Sequence, residues 1–167
     1  MEESIVQEAG EKIAKEKKAE QGAATGSILQ RIGEIFPGKR QDPDAYSPLA
    51  LAYMGDAFYD LIIRTVVVER ANRPVRDLHR IAVRYVSAGA QAEIVSALLD
   101  RLTEEERAVY RRGRNAKPHT KAKNASMEDY LKATGFEAVL GYLYLTDNTE
   151  RALALVRDGL TAVGLEL

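Results

Sequence analysis

Two carboxylates that lie inside apolar segments are the side chains best placed for chemistry. Asp56 belongs to residues 49–60, which are otherwise mostly apolar, and Glu137 is the only charge in residues 133–145. A buried carboxylate needs a partner that compensates its charge. If the two segments pack side by side, Asp56 and Glu137 can share a hard divalent cation such as Mg²⁺, which prefers carboxylate oxygen. Such a cation activates water and neutralises a phosphodiester, so the pair predicts metal-assisted hydrolysis.

A structural explanation of the same acids is equally well supported by this segment alone. Asp60 follows Asp56 by one helical turn, where like charges repel. Arg64 could pair with Asp60, and a distant Arg could hold Asp56. Gly55 costs about 1 kcal/mol in a helix relative to Ala, which indicates that something approaches the backbone there. Either a ligand or a second helix would account for it.

Basic side chains form a second candidate site. Residues 111–123 contain six cations and no acid, and Gly113, Asn115 and Pro118 predict a loop. Cations in such a segment attract polyanions. The residues expected to contact a phosphate backbone are Arg111, Arg112, Arg114, Asn115, Lys117, Lys121 and Lys123.

A further row of positive charge is predicted on one helix. Arg76, Arg80 and Arg84 recur every four residues, with Arg73 just ahead. Such a row is more often a solvated face than a binding site. Beside a metal site, however, phosphate binding by Arg76 and Arg80 becomes the favoured interpretation.

Composition excludes several other kinds of site. The 167 residues include no Cys, which excludes disulfides, zinc–thiolate sites and thiol nucleophiles. His79 and His119 form no catalytic pair, and no Ser has a base at suitable spacing. The acidic start lacks the apolar core of a signal peptide, and three charges argue against a membrane span in residues 49–68. A cytoplasmic protein is therefore expected.

Apolar residues at three- and four-residue spacing predict an all-α domain. Residues 1–26 are expected to be a charged arm, residues 27–46 a short helix and linker, and residues 47–167 the domain that carries the acids. Ser47 and Pro48 open a helix to about Arg70. The other helices are predicted over residues 75–85, 87–100, 103–113, with a capping box of Thr103 and Glu106, 127–145 and 149–163, capped by Thr149.

Five segments in order resemble the ribonuclease III family, and most closely its Mini-ribonuclease III branch, which consists of the catalytic domain alone. They are Leu49-Ala-Leu-Ala-Tyr-Met-Gly-Asp56, Asp77-Leu-His79, Val86-Ser-Ala88 with Gln91-Ala-Glu93, Arg112-Gly-Arg-Asn-Ala-Lys117, and Thr134-Gly-Phe-Glu-Ala138. The resemblance implies an all-α homodimer that cleaves double-stranded RNA with Mg²⁺ and leaves 5′-phosphate and 3′-hydroxyl ends. In the Mini branch it implies maturation of the 23S ribosomal RNA precursor, with ribosomal proteins as further candidate partners.

The sequence departs from full-length ribonuclease III at two acidic positions. Ala52 and Thr134 stand where that enzyme carries acids, as they do in the Mini branch. Asp56 and Glu137 are therefore expected to be the catalytic and metal-binding residues, and the number of metals stays open. Asp77 matches an acidic position of the wider family and is an auxiliary candidate.

Two other interpretations remain besides the nuclease. The chain could be an RNA-binding module that has the fold without the activity, or a helical interaction protein whose acids are structural.

Overall fold

The computed structural model describes residues 26–117 and 125–167. It contains helices α1 (Ile28–Ile35), α2 (Pro48–Arg70), α3 (Val75–Val86), α4 (Ala88–Leu98), α5 (Glu104–Arg114), α6 (Met127–Leu145) and α7 (Thr149–Ala162). Short 3₁₀ turns cover Pro43–Ala45 and Leu99–Arg101, and no strand occurs in the described ranges. The predicted all-α class is confirmed.

Contacts divide the chain into two units that are considered separately, Met1–Lys39 and Arg40–Leu167. In the first unit, α1 is capped by Ser27, whose hydroxyl accepts from the Gln30 amide, and it buries none of its residues. The second unit contains α2 to α7 and both acidic helices.

Most predicted helix boundaries are confirmed, because the caps that predicted them form. The Ser47 hydroxyl accepts from the Ala50 amide at the start of α2, and α2 ends at Arg70. Thr103 and Glu106 make the predicted capping box of α5. One predicted cap is wrong: Thr149 is the first residue of α7, and Asn148 occupies the N-cap position without a side-chain cap bond.

Helix α6 lies at the centre of the second unit. Eleven of the twelve residues from Ala133 to Tyr144 are buried, Glu137 is partly covered, and α2, α4 and α5 surround the helix.

 A helix that is apolar all round is typical of the middle of a helical core. The fold therefore sets Glu137 at the centre of the domain, with its neighbours in the sequence packed on every side.

Two glycines bring α2 and α6 into direct backbone contact. A Cβ added to Gly55 would overlap the carbonyl of Glu137 and lie 2.8 Å from the amide nitrogen of Gly141. A Cβ added to Gly141 would overlap the carbonyl of Leu51. Neither position has room for any side chain, so this contact fixes Asp56, the residue after Gly55, beside the turn of α6 that carries Glu137. Of the two sequence-based explanations of Gly55, close helix packing is the one that the structure shows.

A buried ion pair joins α5 to α7. Glu106 is 4% exposed and accepts from the Thr103 amide at 2.9 Å and from Arg151 at 2.7 and 2.9 Å. Arg151 also donates to the carbonyl of Arg101. The Arg151 charge thus offsets the cost of burying the Glu106 carboxylate.

Substitution Gly55→Ala is expected to destabilise the protein by at least about 2 kcal/mol, because the new methyl group overlaps backbone that cannot move aside. Gly89→Ala is the matched control, since a Cβ on Gly89, also helical, meets nothing within 4 Å. Gly89→Ala should be neutral or stabilise by up to about 1 kcal/mol. Urea unfolding measures both, and equal stabilities of the two variants would contradict the close contact.

Candidate active site

Asp56 and Glu137 lie side by side at the α2–α6 contact. Their carboxyl groups are within hydrogen-bonding reach of each other. Asp56 is open to solvent, whereas Glu137 is partly covered by the helices around it. The two acids that were singled out in the sequence are therefore brought together, with one side open to a ligand.

Burial and neighbouring negative charge raise the pKa of both carboxyl groups. Burial, followed by the nearby charge of Asp56, raises the pKa of Glu137 to about 8. Loss of hydration, followed by the charge of Asp60, raises the pKa of Asp56. Without a cation the pair therefore holds a proton near neutral pH, as expected for two acids that cannot both ionise at low cost.

Asp60 has an ion-pair partner among the described residues, whereas Asp56 has none. Arg64 donates to Asp60 over 2.6 Å, so the structural explanation holds for Asp60. In the described ranges, neither Asp56 nor Glu137 has a Lys or Arg within salt-bridge distance. The distant Arg that the structural explanation required for Asp56 is not found there. The negative charge of the pair is left for a ligand to neutralise.

The side chain of Gln91 completes the surroundings of Glu137, and the sequence assigned it no role. Its Nε2 donates to Glu137 Oε1 over 3.0 Å and to the Val86 carbonyl over 3.0 Å. Its Oε1 is buried without a hydrogen-bond partner in the described part of the protein. The signal that could have found it is its position on α4, where it shares an apolar face with Ala92, Val95 and Leu98.

The residues present fit a hydrated Mg²⁺ ion. No group of three or more His, Cys, Asp or Glu side chains could enclose a metal within the described ranges. Mg²⁺ needs no such cage, because it keeps several waters and binds through one or two carboxylates. Asp56 and Glu137 supply those carboxylates.

The two positions where ribonuclease III carries acids contribute no charge. Ala52 is buried in α2, and the Thr134 hydroxyl donates to the carbonyl of Tyr130 in its own helix. The site therefore depends on Asp56 and Glu137 for its charge. Asp77 is occupied elsewhere, since Arg80 donates to it over 3.2 Å.

The basic residues divide between helix and loop, which corrects one prediction. Arg111 and Arg112 lie in the helix predicted over residues 103–113, and α5 continues to Arg114 where a loop was predicted, because Gly113 packs that turn against Gly135 and Ala138 of α6. Basic residues at a helix C-terminus also interact favourably with its dipole. The predicted contacts in this segment have these positions: Arg111, Arg112 and Lys117 are exposed, Arg114 is partly buried, Asn115 caps α5, and Lys121 and Lys123, with His119, lie outside the described residues.

The arginines of α3 are exposed. Arg76, Arg80 and Arg84 all face solvent, as a solvated row would. Within the row, Arg80 donates to Asp77 over 3.2 Å.

A family model, the ribonuclease III domain, matches residues 49–148, a range that contains Asp56, Gln91 and Glu137. The chain belongs to the ribonuclease III family. The predicted resemblance and the predicted activity class, endoribonuclease, are both confirmed. The match covers more than half of the chain and begins at the second residue of α2.

Curated relatives narrow the membership to one branch of ribonuclease III. A Mini-ribonuclease 3 from Thermoanaerobacter sp. is 53% identical over 63% of this chain and 74% of its own length. The Mini-ribonuclease 3 of Enterococcus faecalis is 50% identical over 70% of this chain and 89% of its own length. A crystal structure of a Fusobacterium nucleatum protein superposes with a TM-score of 0.67, at 26% identity, over 73% of this chain and 99% of that one.

The protonated pair predicts a pH dependence of stability in metal-free protein. The pKa of Glu137 is about 8 in the folded chain and near its ordinary value of 4.5 when unfolded. Between those values the unfolded chain binds fewer protons than the folded one, so this contribution to stability falls as pH rises. Glu137→Gln should remove that fall, because the amide carries no charge. Thermal unfolding from pH 5 to 8 in EDTA tests it, and parallel curves for the two proteins would contradict the raised pKa.

Proposed function

We propose that this ribonuclease III family endonuclease cleaves double-stranded RNA at Asp56 and Glu137 with Mg²⁺ as its cofactor. The observation that carries the proposal is the pair itself: two carboxyl groups in mutual contact, unneutralised by the described Lys and Arg residues, in a chain of this family. A bound Mg²⁺ ion supplies activation of water and neutralisation of charge on the phosphodiester. Hydrolysis forms a bond from water oxygen to phosphorus and breaks the bond to the 3′ oxygen, which leaves a 5′-phosphate and a 3′-hydroxyl.

The chain's own residues prepare the site before RNA binds. Asp56 and Glu137 would hold the cation from two helices whose backbones are in direct contact at Gly55 and Gly141. The open side of Asp56 gives the phosphodiester access, and the cover over Glu137 limits competing water. Such fixed positioning contributes much of the rate in phosphoryl chemistry.

The proposed RNA contacts are the exposed cations around the end of α5. Arg111, Arg112 and Lys117 present charge to solvent, with Asn115 between them. Arg112 donates to the Tyr46 carbonyl over 3.0 Å, which anchors its side chain near the start of α2. Double-stranded RNA is recognised largely by shape and backbone contacts, which such cations can make. The proposal includes Arg114, Lys121, Lys123, Arg76 and Arg80 as further phosphate contacts and Asp77 as an auxiliary residue.

The cell substrate and location belong to the same proposal and rest on family resemblance. We infer maturation of the 23S ribosomal RNA precursor in the cytoplasm, where ribosomal proteins are additional candidate partners. None of the helices in the described ranges is long and apolar enough to cross a membrane.

A homodimer is proposed from an apolar stripe on α2. Tyr53, Leu61 and Val68 are 83%, 55% and 55% exposed, and their spacing puts them on one face of the helix. Asp56 and Asp60 border that stripe. Exposed apolar stripes of this kind are typical of protein interfaces. A second copy on this face would bring two sites close together, one for each RNA strand.

Cleavage of long double-stranded RNA tests the proposed site. The wild-type chain should cut in Mg²⁺ and not in EDTA, and Asp56→Asn should lower the rate about 100-fold or more, a loss of roughly 3 kcal/mol of transition-state stabilisation. Asp60→Asn makes the same change one turn later, at the acid that Arg64 pairs, and should retain most activity. Cutting without metal, or an active Asp56→Asn protein, would exclude this site. Binding without cutting would favour the non-catalytic module instead.

The salt dependence of RNA binding tests the basic surface. The double variant Arg111→Gln with Lys117→Gln should weaken binding and reduce the slope of log affinity against log salt by about 2, because two phosphate contacts are lost. Arg157→Gln removes an exposed cation of α7 that pairs with Asp158, and should leave the slope unchanged. An unaltered slope in the double variant would show that these residues do not contact phosphate.

Light scattering tests the homodimer. The wild-type chain should have twice the monomer mass, and Leu61→Glu should shift it to the monomer by placing a charge in the apolar stripe. Leu153→Glu makes the same change on α7, where the leucine is 39% exposed, and should leave the dimer intact. A monomeric wild-type protein would rule out the proposed interface.

A further inference from the structure

Gln91 is an uncharged polar side chain that the fold buries almost completely. It is 2% exposed and lies on α4, among the apolar residues that pack towards α6. Burying an amide costs free energy unless its hydrogen bonds are replaced. Its contacts are therefore informative about what the position requires.

Both hydrogens of the Gln91 amide are used, and one of the contacts fixes the orientation of the group. Nε2 donates to the Val86 carbonyl and to Glu137 Oε1, each over 3.0 Å. A backbone carbonyl can only accept, so the contact with Val86 keeps the nitrogen, not the oxygen, of the amide on this side. Gln91 consequently always presents an N–H group to Glu137.

The two covered carboxylates Glu106 and Glu137 differ in the charge of the group that donates to them. The structural carboxylate Glu106 is held by Arg151, whose charge neutralises it. Glu137 is held by an amide, which orients the carboxylate and leaves its negative charge available to a cation. The amide oxygen of Gln91 also has no hydrogen-bond partner among the described residues. A buried glutamine with only a structural role would normally have both ends of its amide hydrogen-bonded.

We propose that Gln91 is a positioning residue, which fixes the Glu137 carboxylate between α4 and α2 so that it shares a divalent cation with Asp56. This inference rests on the proposed function of that pair. With Ala52 and Thr134 supplying no acid, the orientation of each remaining carboxylate has more influence on the site. Residues that orient metal ligands through hydrogen bonds typically change metal affinity or activity by about 10- to 100-fold.

Binding of Mn²⁺ to the full chain without RNA, measured by the electron paramagnetic resonance signal of the free ion, tests the inference independently of cleavage. Gln91→Leu should weaken Mn²⁺ binding by about 10- to 100-fold. Val95→Ala is the control for lost stability, because Val95 is fully buried on the same helix and is not a partner of Glu137 in these contacts. It should keep wild-type affinity.

Kinetics supply a second measurement on the same proteins. Gln91→Leu should raise the Mg²⁺ concentration for half-maximal cleavage by a similar factor and lower kcat, with little change in the KM for RNA. A merely structural role would change Gln91→Leu and Val95→Ala alike. Wild-type Mn²⁺ affinity in a folded Gln91→Leu protein would overturn the positioning role.

Nuclear magnetic resonance of the wild-type side-chain amide covers the case in which the variant does not fold. The Nε2 resonances of Gln91 should shift when Mg²⁺ is added, and this shift should disappear in Glu137→Gln. Amide resonances that ignore Mg²⁺ would overturn the inference. If the wild-type chain neither binds Mn²⁺ nor cleaves RNA, the proposed function itself fails, whereas loss confined to the Gln91 prediction leaves it standing.

Discussion

The direct backbone contact between α2 and α6 is the constraint on which the site depends. Gly55 faces the Glu137 carbonyl and Gly141 faces the Leu51 carbonyl, with no space for a side chain at either glycine. Each glycine lowers the stability of its own helix, and its lack of a side chain allows the two backbones to approach closely. Because Asp56 follows Gly55 directly, the separation of the two helices sets the distance between the two acids.

At that distance the negative charges of the two carboxylates repel each other, and a bound cation would offset this repulsion. Burial and the charge of Asp56 raise the pKa of Glu137, burial and the charge of Asp60 raise the pKa of Asp56, and the amide donor Gln91 leaves the charge of the pair in place. Elsewhere the same fold neutralises its acids, with Arg64 at Asp60 and Arg151 at Glu106. The difference marks the Asp56–Glu137 pair as the place where the protein leaves charge for a ligand.

Local signals in the sequence were sufficient to predict the helices and to single out the two acids of the site. Ser47 with Pro48 and Thr103 with Glu106 predicted helix starts because capping depends on neighbouring residues alone. The predictions failed where long-range packing decides. The extension of α5 to Arg114 depends on Gly113 fitting against α6, and the contact of Gln91 with Glu137 spans 46 positions of the chain. Neither could be read from spacing, since both depend on which helices become neighbours.

A crystal structure of the full chain grown with Mn²⁺, with anomalous scattering recorded at the manganese edge, tests the central claim most directly. The account predicts an anomalous peak between Asp56 and Glu137, bound by their carboxylate oxygens directly or through water. It also predicts that the peak disappears in Asp56→Asn. A peak at some other site, or carboxyl groups that remain paired by a shared proton at saturating Mn²⁺, would contradict it.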